Sequence, residues 1–402
     1  MANTLTPRDV YSLMNSIVSQ ATGQSSIAVV DTSTFVSAGE TLLRTAAENT
    51  LNAISTVLAD TIFSVRPYRG KLDSLRVSQR RWGAQVRKIV NLYSAAEASQ
   101  DWNTDLDGGT PKLADGNSID MYKIASPKAM QLNFYGTAVL QKHITLYRDQ
   151  LSLAFSSEQE FIRFIDSVMT EFNNEIELLN ENKSRLTLVN FMLGIHDMGL
   201  TEVDLVAGYN TDHGTSYTRA QLLSTYIEDF MKYVAAQVKV YSELLTDMSA
   251  NNHAQITGYN KILRHTPKER QKMIMYNPIF IQAESEVYSG LFNPQYLEIG
   301  DFEGVNFWQS QDAPTTIKGT PNILNVANGQ SATGTSGVTI DYVLGILFDE
   351  EAVGVMPQFD YASTTPFNSA GGYYNNFMHW RFNSYNDYTE NAVLFVLGAG
   401  GV

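Results

Sequence analysis

From Ser157 to Gly194 the apolar residues fall on one helical stripe. Phe161, Ile165, Val168, Phe172, Ile176 and Leu179 recur at gaps of four, three, four, four and three, the spacing of a single α-helical face. Ser157 followed by Glu160 has the form of a capping box, in which two side chains satisfy two amides at the helix start. The polar run Asn180–Arg185 interrupts the stripe and predicts a bend or a split. Apolar positions resume at Leu186, Val189 and Leu193, and Gly194 supplies a stop. At about 1.5 Å per residue such a helix spans a typical domain. It reads as a spine on which other layers pack.

The flanking patterns are shorter. Thr6-Pro7-Arg8-Asp9 opens a helix running to about Gln20, with Thr as cap and Pro at the first helical position. Ser37 with Glu40 is a second capping box, ahead of an amphipathic helix through Leu42, Leu43, Ala46, Leu51, Ile54 and Leu58. From Ile62 to Leu92, and again from Met130 to Leu151, apolar residues alternate with polar ones, which predicts two extended limbs around a polar tip at Ala95–Ser118. Such a hairpin has little apolar surface to bury by itself, so it lies on its own domain or reaches to a neighbour. Asp197–Ser216 reads as a loop. Thr218 opens a long helix through Leu223, Ile227, Phe230, Val234, Val238, Tyr241, Leu245 and Met248. Lys268–Gln282 reads as a strand and Ala283–Leu291 as a short helix. Asn293–Gly337, rich in Gly, Pro, Ser and Thr, reads as surface strand and loop. Thr339–Phe348, Ala352–Met356, Tyr373–Asn383 and Ala392–Leu397 predict a closing β section.

A chain of 402 residues exceeds one small core, so two or three lobes are expected. There is no cysteine, which excludes disulfides, thiolate catalysis and Cys-ligated zinc. Met1–Asp9 lacks the basic and apolar regions of a signal peptide, and no apolar run reaches the roughly 18 residues of a membrane helix. The formal net charge is −14, which argues against a general nucleic-acid binder. That charge is unevenly spread. Arg66, Arg69, Lys71, Arg76, Arg80, Arg81, Arg87 and Lys88 are opposed within their segment by Asp73 alone, so the segment is +7 and the remainder −21. A basic segment on an acidic body calls for a partner, and these eight cations are expected to contact a neighbouring acidic copy of the chain.

No catalytic centre assembles from the sequence. Asp101, Asn103, Asp105 and Asp107 alternate like calcium ligands, but Leu106 stands where such a loop needs glycine and Lys112 where it needs glutamate. Asp349-Glu350-Glu351 has the composition of a solvated turn, with no histidine near it in sequence. His143, His196, His213, His253, His265 and His379 show no metal-ligand spacing. Nucleophile-elbow, phosphate-loop and dinucleotide motifs are missing. No catalytic residue, cofactor or metal is expected.

The order of elements resembles the tailed-bacteriophage major capsid proteins of the Hong Kong 97 (Johnson) fold. The basic limb Ile62–Leu92 with its return Met130–Leu151 is similar to that family's extended loop, and Phe155–Gly194 to its spine helix. Gly371-Gly372-Tyr373-Tyr374-Asn375-Asn376-Phe377, His379-Trp380-Arg381-Phe382 and Glu390-Asn391-Ala392-Val393-Leu394-Phe395-Val396 resemble the closing strands of the short-tailed phages of the phi-twenty-nine group. The resemblance implies an α+β subunit divided into an N-terminal arm (1–61), an extended loop (62–151), the spine helix of a peripheral domain (152–196), an axial domain (197–337, with an insertion at about 293–337) and shared closing strands (338–402). It further implies self-assembly into the pentamers and hexamers of an icosahedral head around double-stranded DNA. Portal and scaffolding proteins would be partners, with room for a decoration protein. DNA would be touched non-specifically at most, and no membrane is involved. The virion is the expected location, after assembly in the host bacterial cytoplasm. The readings to be excluded are an encapsulin shell, which shares the fold but holds cargo, and a β-rich enzyme.

Overall fold

The computed structural model describes residues 7–22, 29, 34–39, 70–77, 86–93, 121–122, 124, 126, 128–134, 137–147, 158–257, 261–288, 302–366 and 368–398. Helix α1 (Pro7–Thr22) begins at the expected proline and buries Met14, Ile17 and Val18. Ser37 lies inside a helical segment, 34–39, instead of capping one, and the pattern at 42–58 falls outside the described residues.

The spine is one helix, α2 (Glu158–Asp197), 40 residues long and so about 60 Å at about 1.5 Å per residue. The polar run does not break it, and its charged residues Glu181 and Arg185 pair within the helix. Arg185 bonds Glu181 one turn back at 2.5 Å, donates to the Phe307 carbonyl, and stacks 4.0 Å from the Phe307 ring centre. Gly194 is not the stop. The Tyr388 ring sits where a Cβ at Gly194 would be, and that ring lies 5.1 Å from Phe191 while its hydroxyl donates to the Asn322 carbonyl at 2.7 Å. The chain turns at Gly199 (φ +62°), where the Gly199 and Leu200 amides return to the carbonyls of His196 and Ile195.

After α2 come β4 (Glu202–Asp204), α3 (Leu205–His213), α4 (Arg219–Leu222), α5 (Ile227–Leu244), β5 (Gln271–Tyr276) and α6 (Asn277–Tyr288). Two sequence expectations change here. The stretch read as a loop contains α3, started by Asp204, whose carboxylate accepts from the Val206 and Ala207 amides, and ended by Gly214 in the left-handed region. The stretch read as one strand, 268–282, is β5 followed by the first half of α6. The Thr218 cap is real and forms a capping box with Gln221, but the long helix behind it is split into α4 and α5.

The closing segment builds two sheets. A five-stranded sheet has the order β4-β14-β11-β5-β6, with β6 (Glu303–Val305), β11 (Val343–Asp349) and β14 (Ala392–Val396). Strands β11 and β14 are buried on both faces, which explains their apolar sequence. Ile274, Ile346, Leu394 and Val396 face the end of α2, through Leu188, Phe191, Met192 and Ile195. Met275, Leu344, Leu347, Val393 and Phe395 face α3, α5 and α6. A three-stranded sheet, β12-β13-β3, combines β12 (Val353–Thr364), β13 (Tyr373–Asn386) and β3 (Thr137–Tyr147). It lies along α2. The return limb is therefore a strand of the subunit's own sheet, paired with β13 from Thr137↔Asn383 to Tyr147↔Tyr373.

The excursion 302–342 carries the short strands β7 (Ile317–Gly319), β8 (Asn322–Asn325), β9 (Gln330–Thr333) and β10 (Val338–Ile340). Many of its side chains are exposed, as expected, but Val305, Trp308, Ile317 and Ile340 enter the main core. No helix among the described residues is long and apolar enough to cross a membrane.

Candidate functional site: the root of the extended limb

Of the eight limb cations, Arg66, Arg69, Arg80 and Arg81 lie outside the described residues. Lys71 and Arg76 belong to the entry anchor, 70–77. There Leu72 adopts a left-handed conformation (φ 66°) ahead of a single 3-10 turn, Asp73–Leu75. The strained residue is held by burial, since Leu72 and Leu75 both enter the main core. Glu303 accepts from the Leu72 amide and the Ser74 hydroxyl, and Lys272 donates to the Ser74 carbonyl. Arg76 reaches Glu177 on the spine at 2.7 Å and Asp73 at 3.3 Å. The Val77 amide donates to the Val355 carbonyl at 3.0 Å.

Arg87 and Lys88 belong to β1 (Val86–Asn91), which pairs antiparallel with β2 (Ala129–Phe134) as a separate two-stranded ribbon. Alternate residues of a strand face opposite sides. Val90, Leu92, Met130 and Leu132 face inward onto Ile256 and Ile262, and Phe134 lies 5.4 Å from Tyr385. Lys88 shares that inner face. Arg87 points out and is exposed, as is Ile89, at 62 %. The pattern is inverted at this step, with the charged residue inside and the isoleucine outside.

Lys88 is received by carboxylates from two turns. The turn after β13 supplies Asp387 at 3.0 Å and Glu390 at 2.5 Å; the turn between β11 and β12 supplies Glu351 at 3.2 Å. Asp387 and Glu390 are almost wholly buried. Arg264 also pairs with Glu390, at 2.9 Å, while Arg270 pairs with Glu350 at 2.8 Å and with Glu351. Burial alone would lower the Lys88 pKa, but the charges of Asp387 and Glu390 outweigh it and hold the ammonium well above its ordinary range. Burial pushes the Glu390 carboxyl up, against the pull of the two cations that face it. For Glu351 burial acts in the same upward sense, yet the bond from Arg270 and the charge of Lys88 hold it below the usual carboxylate range.

The solvated-turn reading of Asp349–Glu351 holds for Glu351, which is exposed, and in part for Glu350, but not for Asp349. Asp349 is buried, accepting from the Thr266 hydroxyl and the Glu351 amide at 2.9 Å each. Of the carboxylates that receive Arg76 and Lys88, Asp73 and Glu351 stand out in the sequence, but Glu177 and Asp387 do not, and none reads there as a partner within the subunit. Asp387 and Glu390 sit in a turn of ordinary composition, and only the fold brings them to β1. The calcium-like loop at 101–107 lies outside the described residues. Among the described residues no group of three or more His, Asp or Glu could hold a metal ion. This chemistry holds elements together; it presents no nucleophile and no proton shuttle.

His253 lies beside the same network. It is buried, with its ring nitrogens 3.0 Å from Asn391 Oδ1 and 2.9 Å from the Ile262 carbonyl. Burial lowers its pKa below the usual imidazole value, and Arg264 adds to this against the hydrogen bonds with Ile262, Asn391 and Asn251. The unfolded chain, with a histidine pKa of about 6.5, therefore binds the proton more readily than the folded one. The contribution to stability is intact above that value and falls as pH drops through and below it. Between about pH 7.5 and about pH 5 the melting temperature should fall more in the wild type than in His253→Gln. Equal slopes in calorimetry of the two proteins would contradict this.

Beyond β1, Met121 and Ile124 stand 81 % and 87 % exposed on the limb.

A family model for the Phi29-like phage major capsid protein matches residues 14–396. Among solved structures, the chain is similar to one in the capsid structure of Staphylococcus phage Andhra, at 9 % identity and a TM-score of 0.52, over 83 % of this chain and 86 % of that one. It is also similar to a chain in the structure of the head fiber and inner core protein gp22 of native bacteriophage P68, at 12 % identity and a TM-score of 0.51, with the same coverage of each. At these identities the structural likeness bears on the fold. No curated protein matches the chain.

Proposed function

The chain belongs to the family of Phi29-like phage major capsid proteins, and from that premise we propose how its parts divide the work of a shell subunit. It is a structural protein of the virion, the head protein of a tailed double-stranded DNA phage, whose copies self-assemble into the icosahedral shell around the genome. The family match sets aside the encapsulin reading. The α+β expectation holds, and the fold is that of tailed-phage capsid chains.

In the proposed division, 62–151 is the extended loop, 152–196 the peripheral spine, 197–337 the axial domain and 338–402 the strands that join the two domains. The N-terminal arm, 1–61, crosses to neighbours. The limb anchors to its own body through Arg76 and Lys88, and its outward cations, Arg66, Arg69, Lys71, Arg80, Arg81 and Arg87, meet carboxylates of an adjacent copy. Opposed charges of this kind speed encounter and set register, and an acidic body does not adhere to packaged DNA. Portal, scaffolding and decoration proteins are further partners, assembly takes place in the host cytoplasm, and no residue has a catalytic role.

The observation that carries this reading is the inverted step of β1: Lys88 is neutralised at home while Arg87 and Ile89 are turned out. Electron microscopy of shells assembled from the full chain tests it. Density for the 62–151 limb of one copy should cross the body of the next. A limb lying wholly over its own body would overturn it.

A further inference from the structure

We propose that Lys88 is a latch: it fixes the stance of the β1–β2 ribbon on its own subunit before any neighbour is met, and so selects the face that the limb presents. This rests on the reading of the limb as an inter-subunit arm. Three observations carry it. The ribbon is a separate two-stranded sheet, with a small apolar footing on Ile256 and Ile262, and a two-stranded sheet is marginal without such support. Val90, Leu92, Met130 and Leu132 favour the inner face, but at one step that face contains a lysine and the outer face an isoleucine, so apolar burial is opposed there and the charge must be met by carboxylates. The lysine closes on Asp387, Glu390 and Glu351, which lie on the two turns that connect the five-stranded sheet with the three-stranded one. One ammonium thus joins the limb and both sheets.

The entry limb is held in parallel. Arg76 binds Glu177 on α2 at 2.7 Å, and Lys142 of β3 pairs with Glu175 of the same helix. Those contacts secure the segments before and after the ribbon. Among the described residues Lys88 is the charged contact on the ribbon itself, and loosening it releases the ribbon without detaching the limb. A latch of this kind makes the direction of the arm a property of the free subunit. Copies then meet with Arg87 and Ile89 already facing outward, instead of ordering the arm during association.

The test uses the full-length chain in two variants. Lys88→Met alone leaves Asp387 and Glu390 buried without their cation and is prone to misfold. The triple variant Lys88→Met/Asp387→Asn/Glu390→Gln removes the ammonium together with its two buried carboxylates; Arg264 loses its ion pair with Glu390 but keeps its bond to the Thr389 carbonyl at 3.0 Å, and Glu351 keeps Arg270. The side-chain amide oxygen introduced by Asp387→Asn would still accept from the Thr389 amide and hydroxyl, which Asp387 Oδ1 receives at 2.9 and 2.6 Å. Hydrogen exchange of the unassembled triple variant should rise about tenfold or more at 86–91 and 129–134, with β11 and β14 unchanged. Its shells should be fewer and heterogeneous in diameter by electron microscopy. Wild-type exchange in the ribbon would overturn the latch, and so would a uniform rise across both sheets, which marks a general loss of stability. Loosened ribbons that still build wild-type shells would overturn its part in assembly. Shells in which no limb crosses a subunit boundary, with the ribbon loosened as expected, would instead sink the inter-subunit reading and leave the latch as a feature of the free subunit.

Discussion

Changing Arg80 and Arg81 together to glutamate should stop shell formation and leave the subunit folded. The two arginines belong to a +7 segment on a chain that is −21 elsewhere. Part of that asymmetry is settled inside the subunit, because Arg76 and Lys88 take Glu177, Asp387, Glu390 and Glu351. Arg80 and Arg81 are among the cations proposed above to meet a neighbouring copy, and they lie outside the described residues. Within one subunit an exposed ion pair contributes only about 0–1 kcal/mol, so far-ultraviolet dichroism and melting of the unassembled double variant should stay close to wild type. At a partly desolvated interface, truncating one partner of a charged pair costs roughly 2–5 kcal/mol. Charge reversal adds repulsion, and a closed shell repeats the loss at every equivalent contact. The rival role for these arginines is contact with packaged DNA. Assembly of empty shells across a salt series separates the two. If the double variant forms normal empty shells and fails only in retaining DNA, the inter-subunit role is wrong.

The parts of the fold that were legible in the sequence are those whose periodicity follows from burial. The both-faces-buried strands β11 and β14 and the alternating strands β2 and β13 carry their environment in their spacing, and the helical spacing of 161–179 marks the helix α2. What failed to show did so for physical reasons. Helix α3 is only nine residues long and its signal lies in its ends, Asp204 and Gly214, more than in its face. The run 268–282 has apolar residues at Met273, Met275, Ile279 and Ile281 that suit a strand. The chain nevertheless changes from strand to helix at Asn277-Pro278, where proline fits the first helical turn. Gly194 has the composition of a helix stop, and only the approach of Tyr388, from almost two hundred residues away, makes it a packing site. The limb root was legible in half. Its cations stand out as a cluster in sequence, whereas Asp387, Glu390 and Glu177 are single acids whose meaning is a matter of long-range pairing. Lys88 was therefore read with the outward-facing cations, although its own subunit supplies its carboxylates.

Trp308→Ala should cost the unassembled subunit about 3–5 kcal/mol, the usual range for truncating a large buried aromatic residue. Composition alone presents 293–337 as a surface excursion, and most of the polar residues described in it, from 302 on, are indeed exposed. Trp308 nevertheless stands 1 % exposed in the same core cluster as Phe191, Met192 and Phe348. Its indole N–H donates to the Val343 carbonyl at 2.8 Å, at the start of β11, and its amide donates to the Pro314 carbonyl at 3.0 Å. The ring thus pins the excursion to the central sheet at the level of the spine. Truncation leaves a cavity among these residues and strips the Val343 carbonyl of its side-chain donor. Trp308→Phe keeps an aromatic ring and removes only the donor and some volume, so about 1–3 kcal/mol is expected, the range for a buried polar group left unsatisfied. Denaturant titration of both variants measures the ranking, and hydrogen exchange locates it. Protection should be lost first across 303–340 and at the β11 end nearest Val343, while α3 and α5, on the opposite face of the sheet, keep theirs. A cost below about 1 kcal/mol for the alanine variant, or exchange that rises on the α5 face first, would show that the excursion rides on the surface and that its tryptophan does not hold the core.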